Sequence, residues 1–168
     1  MDRAGLQAAQ KPLKERYREE PGAALITLRA DGKLDEEHIA CKVETGRTLV
    51  EAGLHPATGG SGALACSGDM LLEALVACAG VTLRSVSTSM ELDVSGSVHA
   101  EGDLDFRGTL GVDREAPVGF TAIRLRFDLD SDASQEDLDK LLERTERYCV
   151  VGRTLAAGIP VAFSLQRA

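Results

Sequence analysis

Tryptophan is absent and aromatic residues make up only 4% of the 168-residue chain. Base-stacking platforms and aromatic cages are poorly supplied by such a composition. Basic residues are also in the minority, 19 Lys and Arg against 27 Asp and Glu, for a formal net charge of −8. That balance lacks the basic footprint that nucleic acids or anionic membranes require, so neither is an expected partner. No C-x-x-C pair occurs, and His38, His55 and His99 do not fall at metal-ligand spacing, which argues against a structural zinc site or any other resident cofactor. The most apolar run, Ala74 to Leu83, is bounded by Glu73 and Arg84 and is too short to span a bilayer. The first residues show no charged leader followed by an apolar core, so no secretory signal is expected. These absences point to an acidic cytoplasmic protein.

What is present is an ordinary globular composition, 43% hydrophobic and 27% charged. A chain this long buries roughly 70% of its unfolded surface, enough to fold without staples. One domain, or one domain with an arm, is the expectation, with an arm over residues 1–22 and the main domain over 23–168. Pro12 should interrupt any helix in the arm, leaving a short one from about Pro12 to Glu19. The arm either frays or docks on a partner.

Asp31-Gly32 between two apolar-rich runs, Ala23 to Arg29 and Leu34 to Val43, reads as a hairpin turn. Thr45-Gly46 reads as another, followed by a strand from Arg47 to about Ala52. His55-Pro56-Ala57-Thr58-Gly59-Gly60-Ser61-Gly62 reads as a loop. Ser67 then opens a helix running to Met90 that is apolar on almost every side, which places it at the centre of a fold and suggests cover from more than one chain. Leu71, Leu75 and Cys78 share one stripe of it. A long strand is expected from Leu92 to about Leu110, a turn from Asp113 to Gly119, and a strand with one wet face through Ile123, Leu125, Phe127 and Leu129. Ser134 with Asp137 marks a capped, amphipathic helix whose apolar face carries Leu138, Leu141, Leu142, Thr145 and Tyr148. Gly152 should interrupt it, and Ile159 to Leu165 should close the chain as a strand. The pattern is α+β.

Few residues here carry chemistry. Gly60-Ser61-Gly62-Ala63-Leu64-Ala65 formally fits a relaxed dinucleotide fingerprint, but no doubly wound array surrounds it and no Lys-Ser or Lys-Thr follows. It reads as a flexible loop. His55 either bonds that loop to itself or lines a cleft and assists proton transfer. The widely spaced cysteines, Cys41, Cys66, Cys78 and Cys149, are each either small buried hydrophobes or reactive thiols. Reactivity needs a reachable sulfur, a nearby donor or cation that favours thiolate, and a second thiol to resolve an oxidised sulfur.

Ser67-Gly68-Asp69-Met70-Leu71-Leu72-Glu73-Ala74-Leu75-Val76-Ala77-Cys78 resembles the central-helix signature of the osmotically inducible protein C and organic hydroperoxide resistance (OsmC/Ohr) family. Cys149-Val150-Val151-Gly152-Arg153-Thr154-Leu155 is similar to its Cys-Pro-Val-Ser-x-Thr-Leu element, and Gly59-Gly60 falls where the family carries a Gly pair. The resemblance implies antiparallel sheets around a long buried helix, in an intertwined homodimer with active sites at the interface. It further implies a thiol peroxidase in which Cys78 attacks an organic or lipid hydroperoxide and Cys149 resolves the product, with a dithiol such as a lipoyl protein as reductant. The family's glutamate position is Gly68 here, with Asp69 one step on, and Val150 and Gly152 replace its Pro and Ser. Asp69, Arg29 and Arg47 are the candidate groups supporting the thiolate. Alternatives from other classes are a non-catalytic dimer of the same fold holding a small hydrophobic ligand, and a thiol redox sensor.

Overall fold

The computed structural model describes residues 2–20, 25, 32–34, 40–44 and 49–166. It divides into two compact units, Met1–Glu73 with His99–Arg126, and Ala74–Val98 with Phe127–Ala168.

In the first unit the opening helix, α1 (Arg3–Glu19), begins well before Pro12 and runs through it. The overlooked signal is Asp2, whose carboxylate accepts the Gly5 N–H at 2.8 Å and satisfies a first-turn donor. Proline removes only its own i→i−4 bond, and the turns on either side carry the helix past it. Strands β1 (Gly32–Leu34), β2 (Ala40–Glu44), β3 (Leu49–Gly53) and β4 (Ala65–Cys66) form one sheet in chain order. β1 and β2 pair antiparallel with Gly32 opposite Val43, so Gly32 is a strand residue rather than a turn. The run expected as one strand from Leu34 to Val43 instead holds the end of β1 and most of β2. Asp31, Thr45-Gly46 and, apart from Leu25, the expected strand Ala23 to Arg29 lie outside the described residues.

β3 pairs antiparallel with β2 but parallel with β4, through Ala52 with Ala65 and Gly53 with Cys66. This two-residue parallel ladder sits beside the expected antiparallel pairs. A parallel neighbour needs a crossover, which the His55–Gly62 loop supplies, with a single 3₁₀ turn at Pro56–Thr58. Gly60 is held so close to Leu54 that a Cβ there would lie 1.7 Å from the Leu54 carbonyl oxygen.

Helix α2 (Ser67–Met90) and strands β5 (Ser95–Leu104) and β6 (Phe120–Asp130) run through both units. β5 and β6 form a two-stranded sheet. β5 stops at Leu104 rather than near Leu110 because the Asp105 carboxylate caps a short helix, α3 (Phe106–Thr109), by accepting the Arg107 N–H.

The second unit holds most of the tight packing. Leu83, Val94 and Leu141 form its buried centre, with Val86, Met90, Leu92, Phe127, Leu129 and Leu138 packed around them. Leu141 and Thr145 come from α4 (Gln135–Tyr148), which starts at Ser134 as expected; the Asp137 N–H donates to the Ser134 hydroxyl at 3.2 Å. On α2 the buried line is Leu75, Ala79, Leu83 and Ser87, one residue per turn. The remainder of that helix is less enclosed than its composition suggests: Leu71 is 37% and Val81 72% exposed. The helix α5 (Val150–Ala157) follows α4 directly. Gly152 therefore lies inside a helix, and the break falls at Cys149. Ile159 to Leu165 forms no strand and is exposed, Phe163 to 94%; among the described residues no strand pairs with it.

Candidate active site

Cys149 is the hinge on which the site is built. Its N–H donates to the Thr145 carbonyl at 2.9 Å, closing α4. Its backbone is extended (φ −71°, ψ 105°), and its sulfur accepts the Gly152 N–H at 3.4 Å, opening α5. One residue thus ends one helix and caps the next, with its side chain 3% exposed. Glycine at position 152 suits this close turn: a Cβ would stand 3.3 Å from the Cys149 sulfur and 3.6 Å from a methyl of Leu75. Leu75 lies one turn before Cys78 on α2, so the first turn of α5 closes over the stretch of α2 that carries Cys78.

The second thiol sits there, half-buried. Burial pushes the Cys78 pKa up, but donors to its sulfur outweigh it: the Val151 N–H, the Cys149 thiol, the Val150 N–H and the Thr82 hydroxyl. The result is a thiol below its ordinary value. Thr82, one turn on, also donates to the Cys78 carbonyl at 2.8 Å. Cys149 moves the other way. Burial raises it, the Gly152 N–H opposes, and the neighbouring Cys78 raises it further. Both thiols are free, as is Cys66. The arrangement sets a thiol whose ionisation is eased beside one whose ionisation is opposed, a pairing suited to forming and then resolving an oxidised cysteine.

Asp69, in the first turn of α2, lines a cavity of about 390 Å³ in the first unit, together with His55, Cys66, Leu72, Phe106 and Phe120. His55 binds its own loop: its Nδ1 accepts the Ala57 N–H at 3.0 Å, its carbonyl accepts from Thr58 and Gly60, and its ring stacks on Phe106 at 4.9 Å. Asp103 at this cavity is held by Arg124 in a two-pronged ion pair, which keeps its carboxyl below the usual range. Arg29 and Arg47 lie outside the described residues. Cys41 stands opposite Ala52 in the β2–β3 ladder. Among the described residues, no cluster of His, Cys, Asp and Glu could hold a metal ion.

Sequence reasoning missed the amides of Val150 and Val151 and the Thr82 hydroxyl. The available signal was a cysteine standing where one helix ends and another starts, which makes it an N-cap with free amides beyond it.

The family model for OsmC-like proteins matches residues 60–164, well over half of the chain and inclusive of both sulfurs. The chain belongs to the OsmC-like family. Solved structures agree on the fold of this OsmC-like protein. An OsmC-like protein from Mycoplasma pneumoniae superposes with a TM-score of 0.64 at 15% identity, over 78% of this chain and 88% of that one. An OsmC-like protein of unknown function from Vibrio cholerae gives 0.58 at 15% identity, over 77% and 94%. An organic hydroperoxide resistance protein from Legionella pneumophila gives 0.56 at 17% identity, over 79% and 90%. No curated protein matches the sequence. By length and hydropathy alone α2 would qualify as a bilayer span, with a mean of 1.5 over 18 residues, which the shorter apolar run read from the sequence did not reveal. In the OsmC-like fold it is the core helix, not a membrane span.

Proposed function

We propose that this OsmC-like protein is a thiol peroxidase that reduces organic hydroperoxides in the cytoplasm. The observation that carries the reading is the pairing of two free thiols whose proton affinities are driven apart, Cys78 down and Cys149 up. The Cys78 thiolate attacks the outer oxygen of R–O–O–H; the O–O bond breaks, sulfur becomes a sulfenic acid, and RO⁻ takes a proton to leave as the alcohol. The Cys149 thiol then attacks the sulfenic sulfur, giving a disulfide and water. A dithiol, for example a lipoyl group, donates two electrons and two protons to restore both thiols and leaves as its own disulfide. The carbon-lined surroundings of Leu75 and Cys149 favour alkyl peroxides over hydrogen peroxide.

Asp69, Arg29 and Arg47 are proposed to support this site within a homodimer, where a partner covers the apolar residues α2 leaves open. The exposed Leu71 and Val81 support that view. The test is consumption of cumene hydroperoxide with a dithiol reductant. Wild-type protein turns over repeatedly, whereas Cys149→Ser consumes about one equivalent and stalls with Cys78 trapped as sulfenic acid. Wild-type protein that consumes no more peroxide than buffer overturns the proposal.

A further inference from the structure

The cavity of about 390 Å³ in the first unit falls within the range of small-molecule sites, roughly 300–1,000 Å³. Its apolar lining is Leu72, Leu104, Phe106 and Phe120. A second cavity of about 320 Å³ shares His55, Cys66 and Asp69 with the first and adds Glu73. Two glycines shape the space. A Cβ at Gly102 would lie 2.4 Å from the Phe120 ring, so that ring sits where a side chain at 102 would otherwise be. A Cβ at Gly68 would meet Phe120, the Cys66 sulfur and Leu104 at 3.5–3.8 Å, in ordinary contact, so a longer side chain there would be directed among the cavity walls.

The charges are one-sided. No Lys or Arg lines either cavity among the described residues. Asp103 is already neutralised by Arg124, whose Nη2 donates to its Oδ1 at 2.8 Å. His55 adds no positive charge, because its Nδ1 accepts the Ala57 N–H at 3.0 Å, which only a neutral imidazole can do. Asp69 and Glu73 stand four residues apart on α2, a spacing at which like charges repel. Among the described residues neither carboxylate is engaged by a hydrogen bond or an ion pair.

We propose that this cavity binds a small organic cation with an apolar body, of the arylalkylamine class, its ammonium group held by Asp69 and its ring packed against Phe106 and Phe120. A bound ammonium supplies the missing counter-charge and relieves the repulsion between Asp69 and Glu73. The aromatic faces add cation–π and stacking contacts, and the stack of His55 on Phe106 at 4.9 Å holds one of those faces in place before the ligand arrives. Carboxylate or phosphate ligands meet only like charge here and are rejected.

The site is independent of the peroxidase reading. Asp69 is shared with the support proposed above for the thiols, so binding rather than turnover is the readout. The experiment titrates the full chain at pH 7 with phenethylamine and, separately, with its anionic counterpart 3-phenylpropionate. Amide shifts are followed by NMR, and alkylation of Cys66 by N-ethylmaleimide is followed by peptide mass spectrometry. Phenethylamine should bind saturably, shift the amides of Cys66, Gly102 and Phe120, and slow Cys66 labelling about fivefold or more at saturation. 3-Phenylpropionate should bind at least about tenfold more weakly, and Asp69→Asn should weaken the amine by a similar factor while leaving the carboxylate probe no worse. Gly68→Leu, which fills the space without changing charge, should abolish saturable binding of the amine; if that variant does not fold, the two probes on the wild-type protein decide the matter. Equal affinity for the two probes, amine binding undiminished in Asp69→Asn, or no saturable amine binding by the wild type would each overturn the proposal. A protein that binds the amine but consumes no peroxide keeps this site and loses the peroxidase reading.

Discussion

The two units solve different packing problems. Among the described residues, Leu75, Ala79, Leu83, Val94, Leu141 and Cys149 are the buried hydrophobics of the second unit, against Ala116 in the first. The first unit instead keeps an open cavity whose aromatic walls, Phe106 and Phe120, are held by stacking and by glycine. Each unit has a free thiol outside a disulfide, Cys66 at the cavity and Cys78 under α5. Cys66 stands just ahead of the first turn of α2, whereas Cys78 lies in mid-helix and takes its backbone donors from the start of α5. At Cys78 burial is the largest single influence and opposes ionisation, and the donors gathered around the sulfur together outweigh it.

The sharpest way to break that comparison is to exchange the two sulfurs for oxygen one at a time. Cys78→Ser should lower peroxide turnover at least about a thousandfold, while Cys66→Ser should retain wild-type turnover in the same assay; comparable losses would erase the distinction between the sites. The packing difference is tested next. Leu141→Ala removes a side chain with no exposure at all and should cost about 2–5 kcal/mol in urea unfolding. Gly102→Ala places a methyl 2.4 Å from the Phe120 ring and should cost less, about 1–3 kcal/mol, because the ring borders an open cavity and can swing away. Ser134→Ala, which loses the cap of α4, should cost about 1 kcal/mol.

The smallest effect is in the pH dependence of stability. Cys78 has a folded-state pKa below its unfolded one, so its ionisation stabilises the fold above the ordinary thiol range, and that contribution is lost as pH falls through the lowered value. Cys149, raised, contributes in the opposite sense: its share is present below the ordinary thiol range and is lost as pH rises through the raised value. Unfolding midpoints of Cys78→Ala and Cys149→Ala across pH 7 to 10 should therefore diverge from wild type in opposite directions.

Elements whose signals are local were legible in the sequence. The span of α2 and the start of α4 followed from capping and periodicity, and the family resemblance followed from the residues around Cys78 and Cys149. The errors fell where a cap or a non-local partner decided the outcome. Asp2 started a helix ahead of Pro12, Asp105 ended a strand early, and β4 joined β3 in parallel across an eleven-residue connection. Gly152 was taken for a helix breaker because glycine is a poor helix former; the structure uses its missing side chain for close approach to Cys149 and Leu75.

By itself the sequence determined which residue types were available: an apolar α2 with a cysteine in its middle, a second cysteine near the end of an amphipathic helix, and an acidic balance of charge. Only the tertiary structure decided that the two sulfurs meet and that they differ. Their separation along the chain is bridged by packing of α4 and α5 on α2, a consequence of burial that no local pattern encodes. The difference between them comes from amide donors at the start of α5, whose direction exists only once the helix has formed.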